Sequence, residues 1–185
     1  MSTIEFFREG IKNLKTVGTI TRSSKFVCKE MTSFIDFSTA KVIVELGAGD
    51  GVITKHILRA MRPDAKLVAF EVNAAFCDIL REIPDDRLIV AQDSAEKIGE
   101  YLRANQLGDQ ADFILSAIPF VTLPDDLSYR IVETSRDHLA EGGLYIQLHY
   151  STLVKKMYKR VFGNVDVNFV PINIPPAFVL VSEKR

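Results

Sequence analysis

The stretch Val42-Ile43-Val44-Glu45-Leu46-Gly47-Ala48-Gly49-Asp50-Gly51 constrains this chain more than any other. An apolar run ends in three glycines at alternate positions. A segment with Ile53, Ile57, Ala60 and Met61 at helical spacing follows directly. That order reads as strand, tight turn, helix. Such a turn lets a ligand approach backbone N–H groups closely at a helix N-terminus. The spacing is G-x-G-x-G, whereas a dinucleotide turn needs G-x-G-x-x-G, and Val52 stands where its last glycine would be. The pattern points away from nicotinamide chemistry and toward S-adenosylmethionine.

The rest of the chain alternates strand and helix patterns. Lys66–Glu71, Arg87–Ala91, Asp112–Ser116 and Leu144–His149 read as further strands. Between them Ala75, Phe76, Ile79 and Leu80, then Ala95, Ile98 and Leu102, then Asp126–Leu139 stopped at Gly142-Gly143, carry helical periodicity, and Ser151–Val161 follows. This alternation predicts a parallel sheet with helices on both faces. Val165, Val167 and Phe169 then alternate with polar residues, and a turn with Pro171, Pro175 and Pro176 leads to Phe178–Ser182. Two strands this close leave no room for a crossover helix and must pair antiparallel. The predicted fold is α/β, a Rossmann-like class I methyltransferase: a mostly parallel seven-stranded sheet with a C-terminal antiparallel hairpin and an N-terminal helical cap. Residues 1–185 are read as one domain and 1–40 as the cap.

A chain of 185 residues with 47% hydrophobic and 25% charged residues can bury a sizeable core. Its net charge of −1 gives no reason to propose a nucleic-acid partner. The charge is uneven, because residues 1–29 hold Arg8, Lys12, Lys15, Arg22, Lys25 and Lys29 against Glu5 and Glu9. In segment 4–15, Ile4, Phe7, Ile11 and Leu14 share a helical face opposite the charges, which suits interfacial membrane binding or a lid on the sheet. Ser23 or Ser24 would cap a second helix with Val27, Met31, Phe34 and Ile35 inward. Cys28 and Cys77 form no CxxC pair and read as reduced, partly buried thiols; no metal site is expected. No apolar run reaches the ~18–20 residues that span a bilayer, and Glu5 and Arg8 spoil a secretory signal. A cytoplasmic location follows, with contact at the inner membrane surface.

The cofactor-binding candidates lie at predicted strand ends. Gly47, Ala48, Gly49 and Gly51 would lie under the methionine part of S-adenosylmethionine. Glu71, followed by Val72, is placed to accept both ribose hydroxyls, or else is a solvated strand-end acid. Asp93, with Ser94, would meet the adenine amino group or cap the next helix. Glu45 interrupts an apolar strand, and a buried carboxylate is costly unless it is bonded or paired. It would bind backbone N–H groups of the site, attract the cofactor's positive sulfonium and amine, or form an ion pair beneath the site. Ser116-Ala117-Ile118-Pro119-Phe120 ends the fourth strand, where the methyl group should point. Its carbonyls would accept from a substrate amine, Phe120 would stack on a cation, and Ser116 is a candidate for both cofactor contact and catalysis. The segment is similar to the N-L-P-Y type signature of adenine dimethyltransferases, with Ser116 replacing the Asn or Asp that holds the target amine there. Tyr150, after the fifth strand, is the other catalytic candidate, and alternation sends the neighbouring His149 the opposite way.

Four stretches resemble the bacterial phospholipid N-methyltransferases of the ribosomal-RNA-dimethylase-like type. They are Val17–Ser24, Glu45–Gly51, Ser116–Phe120, and Gln147-Leu148-His149-Tyr150 with Asn173-Ile174-Pro175-Pro176-Ala177. Ala48 and Asp50 depart from the usual Pro and Thr, and Arg22 from the usual Pro. The resemblance implies methyl transfer from S-adenosylmethionine to the amine of phosphatidylethanolamine, toward phosphatidylcholine, with the N-terminal helix docked on anionic membrane. Ornithine lipids, small metabolites or RNA are alternative amine acceptors, and a non-catalytic cofactor-binding protein is a third reading. Nothing in the sequence sets the oligomeric state.

Overall fold

The structure is a computed structural model and describes residues 25–185. The expectations for the helix at 4–15, for Arg22 and for a cap at Ser23 or Ser24 lie outside the described residues. The strands are β1 (Val42–Leu46), β2 (Lys66–Phe70), β3 (Leu88–Ala91), β4 (Ala111–Ser116), β5 (Leu139–His149), β6 (Asp166–Val170) and β7 (Ala177–Glu183). The α-helices are α1 (Lys25–Ser33), α2 (Val52–Ala60), α3 (Ala74–Arg81), α4 (Ile98–Ala104), α5 (Asp125–Asp137) and α6 (Lys155–Phe162). Short 3-10 turns occupy Ala95–Lys97 and Phe120–Thr122.

The strands form one sheet in the order β3-β2-β1-β4-β5-β7-β6. β3 to β5 are parallel in that order, while β7 pairs antiparallel with both β5 and β6. The winding reverses between β1 and β4, so a crevice opens outside their C-terminal ends, the place where open α/β sheets bind ligands.

Side-chain alternation divides the core in two. Ile43, Leu67, Leu115, Ile146 and Val179 pack in one cluster with Val27 and Met31 of α1 and Ile57 of α2. Val44, Val68, Phe70, Ile114, Tyr145 and Leu180 pack in the other with Ile98 and Leu102 of α4, Ile131 of α5 and Tyr158 of α6. Helices cover both faces, which is why the central strands read as nearly continuous apolar runs. Among the described residues no helix is long and apolar enough to cross a membrane. Cys28 and Cys77 are buried, and burial pushes both thiols up to about 11.

Two boundaries differ from the sequence expectation. β5 starts at Leu139 and runs through Gly142-Gly143, where the sequence predicts a helix stop. The register with β4 slips between Ala111 and Phe113, and a Cβ on Gly143 would come within 2.7 Å of the Asp112 carbonyl oxygen. The glycines therefore let a strand bend past its neighbour at a bulge. α6 begins at Lys155 rather than Ser151, because Ser151–Val154 form a turn in which Lys155 N–H donates to the Thr152 carbonyl. Ser and Thr favour such turns over helix interiors. That turn leaves Leu153 83% exposed.

Candidate active site

The crevice is lined by Gly47, Phe70, Glu71, Val72, Asp93, Ala95 and Ile118, contributed by the C-terminal ends of β1, β2, β3 and β4. The glycine turn is tied down by its own backbone. Gly47 and Ala48 N–H both donate to the Phe70 carbonyl, at 2.8 and 3.1 Å, and Gly51 N–H donates to the Ala48 carbonyl at 3.0 Å. Gly47 has φ +74°, and a Cβ there would lie 3.1 Å from Ile118 Cγ1. Only glycine lets β1 and the turn after β4 approach this closely. A Cβ on Gly49 would meet nothing within 4 Å, so that position faces open space.

Glu71 is 5% exposed and bridges two turns. Its Oε2 accepts from Gly49 N–H at 2.9 Å and its Oε1 from Asn73 N–H at 2.8 Å. Asn73 in turn caps α3 by accepting from Ala75 N–H. Burial raises the Glu71 carboxyl above its usual range, opposed by these backbone donors. A carboxylate offers about four lone-pair sites. With two of them occupied, capacity remains for a pair of hydroxyl donors. Asp93 lines the same crevice, with Oδ1 accepting from Ser94 N–H at 2.7 Å. The capping role falls to Ser94, whose hydroxyl accepts from Glu96 N–H and donates to Glu96 Oε2.

Glu45 lies on the α1–α2 side of β1, 1% exposed, with Oε2 accepting from the Thr54 hydroxyl at 2.6 Å. Among the described residues its Oε1 has no hydrogen-bond partner and no ion pair forms. Burial, reinforced by the nearby Glu71 charge, raises its pKa to about 8. It sits behind the glycine turn, not among the residues that line the crevice.

The end of β4 corrects several expectations. Ser116 is completely buried, and its hydroxyl accepts from Ile118 N–H at 3.3 Å, so it props the turn from beneath. The Ile118 carbonyl, expected to meet an amine, already accepts from Gln147 Nε2 at 3.0 Å and from Phe120 N–H. The Pro119 carbonyl accepts from the Thr122 hydroxyl and N–H. Phe120 is 2% exposed and packs on the His149 and Tyr158 rings, so it is a core residue and not a cation platform. The turn is shaped by buried partners, which leaves little of its backbone for a ligand.

Of those partners, Gln147 and His149 stand in the sequence only within a family-like stretch, and Tyr145 and Tyr158 carry no signal there. The Tyr145 hydroxyl donates to Gln147 Oε1 at 2.9 Å, and Gln147 Nε2 donates to the Ile118 and Leu148 carbonyls. His149 Nε2 lies 2.7 Å from the Tyr158 hydroxyl, and burial lowers the histidine to about 4, so the imidazole is neutral at physiological pH. One signal was available: Gln147 interrupts an apolar strand just as Glu45 does. Tyr150, the residue after His149, is 42% exposed at the rim.

With this geometry in place, the comparison with known proteins narrows the chemistry. Residues 14–169 match the family described as Methyltransferase small domain. The chain belongs to this family. It is an S-adenosylmethionine-dependent methyltransferase. The methyltransferase is 30% identical to the ornithine lipid N-methyltransferase of Singulisphaera acidiphila, over 94% of this chain and 89% of that one. It is 24% identical to ribosomal RNA small subunit methyltransferase A of Thermotoga petrophila, over 72% of this chain but 48% of that one. Among solved structures, precorrin-6y C5,15-methyltransferase from Geobacter metallireducens superposes with a TM-score of 0.68 at 14% identity, covering 90% of this chain and 93% of that one. That likeness shows the fold: a Rossmann-like α/β sheet with antiparallel C-terminal strands.

Proposed function

We propose that the methyltransferase acts on the primary amine of a membrane aminolipid headgroup. The observation that carries this reading is the 30% identity to an ornithine lipid N-methyltransferase, spread over nearly the full length of both chains. The ornithine lipid amine is thereby favoured over phosphatidylethanolamine, the acceptor expected from the resemblance.

The crevice suits the cofactor. Glu71 would accept the ribose hydroxyls with its remaining lone pairs, and Asp93 would meet the adenine amino group. The open face of Gly49 leaves room for the methionine part over the turn. S-adenosylmethionine, when bound, supplies an electrophilic methyl group on a positively charged sulfur. The protein's share is orientation, since nitrogen must attack in line with the departing sulfur. A primary ammonium has a pKa of roughly 10 and must lose its proton before it attacks. Tyr150, exposed at the rim after β5, is the residue we assign to contact the incoming amine. Ser116 and Gln147 act by positioning the Ile118–Phe120 turn.

Methylation of an RNA base is the competing reading, prompted by the ribosomal RNA relative. It is disfavoured by position 116, where a buried serine stands in place of the Asn or Asp that would hold a base amine. The test is incubation of the purified protein with methyl-labelled cofactor, ornithine lipid, phosphatidylethanolamine and RNA, followed by solvent extraction. Label should enter the organic phase, and the mass of the labelled lipid identifies the headgroup. Label confined to RNA or to water-soluble amines rejects the reading.

A further inference from the structure

Of eight large apolar side chains exposed among the described residues, four fall in two short loops: Tyr150 and Leu153 after β5, and Ile172 and Ile174 between β6 and β7. Ile172 is 65% and Ile174 85% exposed. The two loops emerge side by side, because His149 pairs with Phe178 at the end of the β5–β7 ladder. They leave the sheet at the end where β4 pairs with β5 through Ser116 and Gln147, the end that carries the crevice. Asn173 braces the second loop from within: it is 3% exposed, and its amide donates to the Pro175 carbonyl. A braced turn that presents isoleucines on both sides of a buried asparagine is a built protrusion.

The two loops and the helix after the first carry charge of one sign. Residues 150–162 hold Lys155, Lys156, Lys159 and Arg160 and no acid, and residues 167–182 hold no charge at all, in a chain of net charge −1. The ion pairs of the described residues involve none of these three lysines. Scattered exposed apolar residues need no explanation, but a cluster edged by cations that form no ion pair with another described residue does. Apolar tips beside lysines match an anionic bilayer, where the tips enter the headgroup layer and the ammonium groups stay at its surface. We infer that the 150–154 loop and the 171–176 turn form a bilayer-docking rim that holds the mouth of the crevice against the headgroups. This inference rests on the aminolipid reading. It places docking on the catalytic body itself, in addition to any contribution from residues 4–15.

The chain contains no tryptophan, so single-tryptophan variants report cleanly. Leu153→Trp and Ile174→Trp should shift their emission to the blue on adding vesicles of phosphatidylethanolamine and phosphatidylglycerol, while Ile79→Trp on α3 should not. Lys155→Gln with Lys156→Gln should lower vesicle affinity about 25-fold at low salt, about fivefold per charge, and much less at high salt. Leu153→Ser with Ile174→Ser should abolish turnover on vesicles yet leave unchanged the methylation of a short-chain aminolipid kept monomeric. Vesicle binding without a blue shift at positions 153 and 174 would overturn the proposal. So would a dimer that dissociates in the serine variant, since a second copy would then cover the rim. If the wild type methylates the monomeric aminolipid while both reporters stay silent, docking alone falls. If it does not, the aminolipid reading falls and takes docking with it.

Discussion

Glu45 shows how one residue can be conspicuous in sequence while its partners emerge only in the fold. A carboxylate in the middle of Val-Ile-Val-Glu-Leu had to be bonded, paired or neutral. The structure combines the first and the last: Thr54 donates to one oxygen, and burial raises the pKa from 4.5 to about 8. The folded protein thus keeps a proton that the unfolded chain releases near pH 4.5, and this costs stability as pH rises toward 8. His149, lowered from 6.5 to about 4, works in the other direction: its contribution is complete above 6.5 and is lost as pH falls toward 4. The two slopes oppose each other in acid, and above pH 6.5 the histidine no longer offsets the loss from Glu45. Glu45→Gln should therefore flatten the pH profile and gain about 2 kcal/mol over the wild type between pH 6.5 and 8.5. Urea midpoints at the two pH values measure this. A variant that tracks the wild type would show that Glu45 is ionised in the fold.

At the scale of elements, β5 organises the acceptor side. Gln147, held by Tyr145 and the Leu148 carbonyl, supports the β4 turn through its hydrogen bond to the Ile118 carbonyl, while Tyr150 leaves at the rim. Gln147→Leu keeps the volume but removes one of the two donors to the Ile118 carbonyl and leaves the Tyr145 hydroxyl without its acceptor. The expected cost is about 2–3 kcal/mol, because a buried group left unsatisfied loses more than one hydrogen bond is worth. Amine KM should rise and kcat fall while cofactor affinity holds, a split that initial-rate kinetics and calorimetry can separate. The strand itself was legible, and so was its polar interruption. Its partner was not, since the Ile118 carbonyl is 29 residues away and meets Gln147 only through parallel pairing of β4 and β5. The same pairing explains the misread Gly142-Gly143, where a bulge uses glycine for space and not for a stop.

For the whole molecule, ligand binding and stability are one equilibrium. S-adenosylmethionine at about 100 times its Kd should stabilise the native state by about 2.7 kcal/mol and raise the thermal midpoint by about 5–10 °C. Glu71→Ala should remove most of that rise while the ligand-free protein still melts cooperatively, at a temperature lowered by loss of the Gly49 and Asn73 bridges. An undiminished shift would take Glu71 out of the cofactor's contacts. Differential scanning calorimetry reports both quantities.

What the sequence determined by itself is local or periodic: the strand–turn–helix at Gly47–Gly51, the alternation that makes a parallel sheet, and the short proline turn that forces the last two strands antiparallel. Each follows from backbone sterics or from one-sided burial, which act between near neighbours in the chain. Only the tertiary structure decided which polar residues meet. It set Glu71 across two turns, Ser116 beneath the site, Gln147 against the Ile118 carbonyl, and Tyr150 with Ile174 at one rim. Those relations depend on register between strands distant in sequence, and hydrogen bonds of about 3 Å resolve what periodicity cannot.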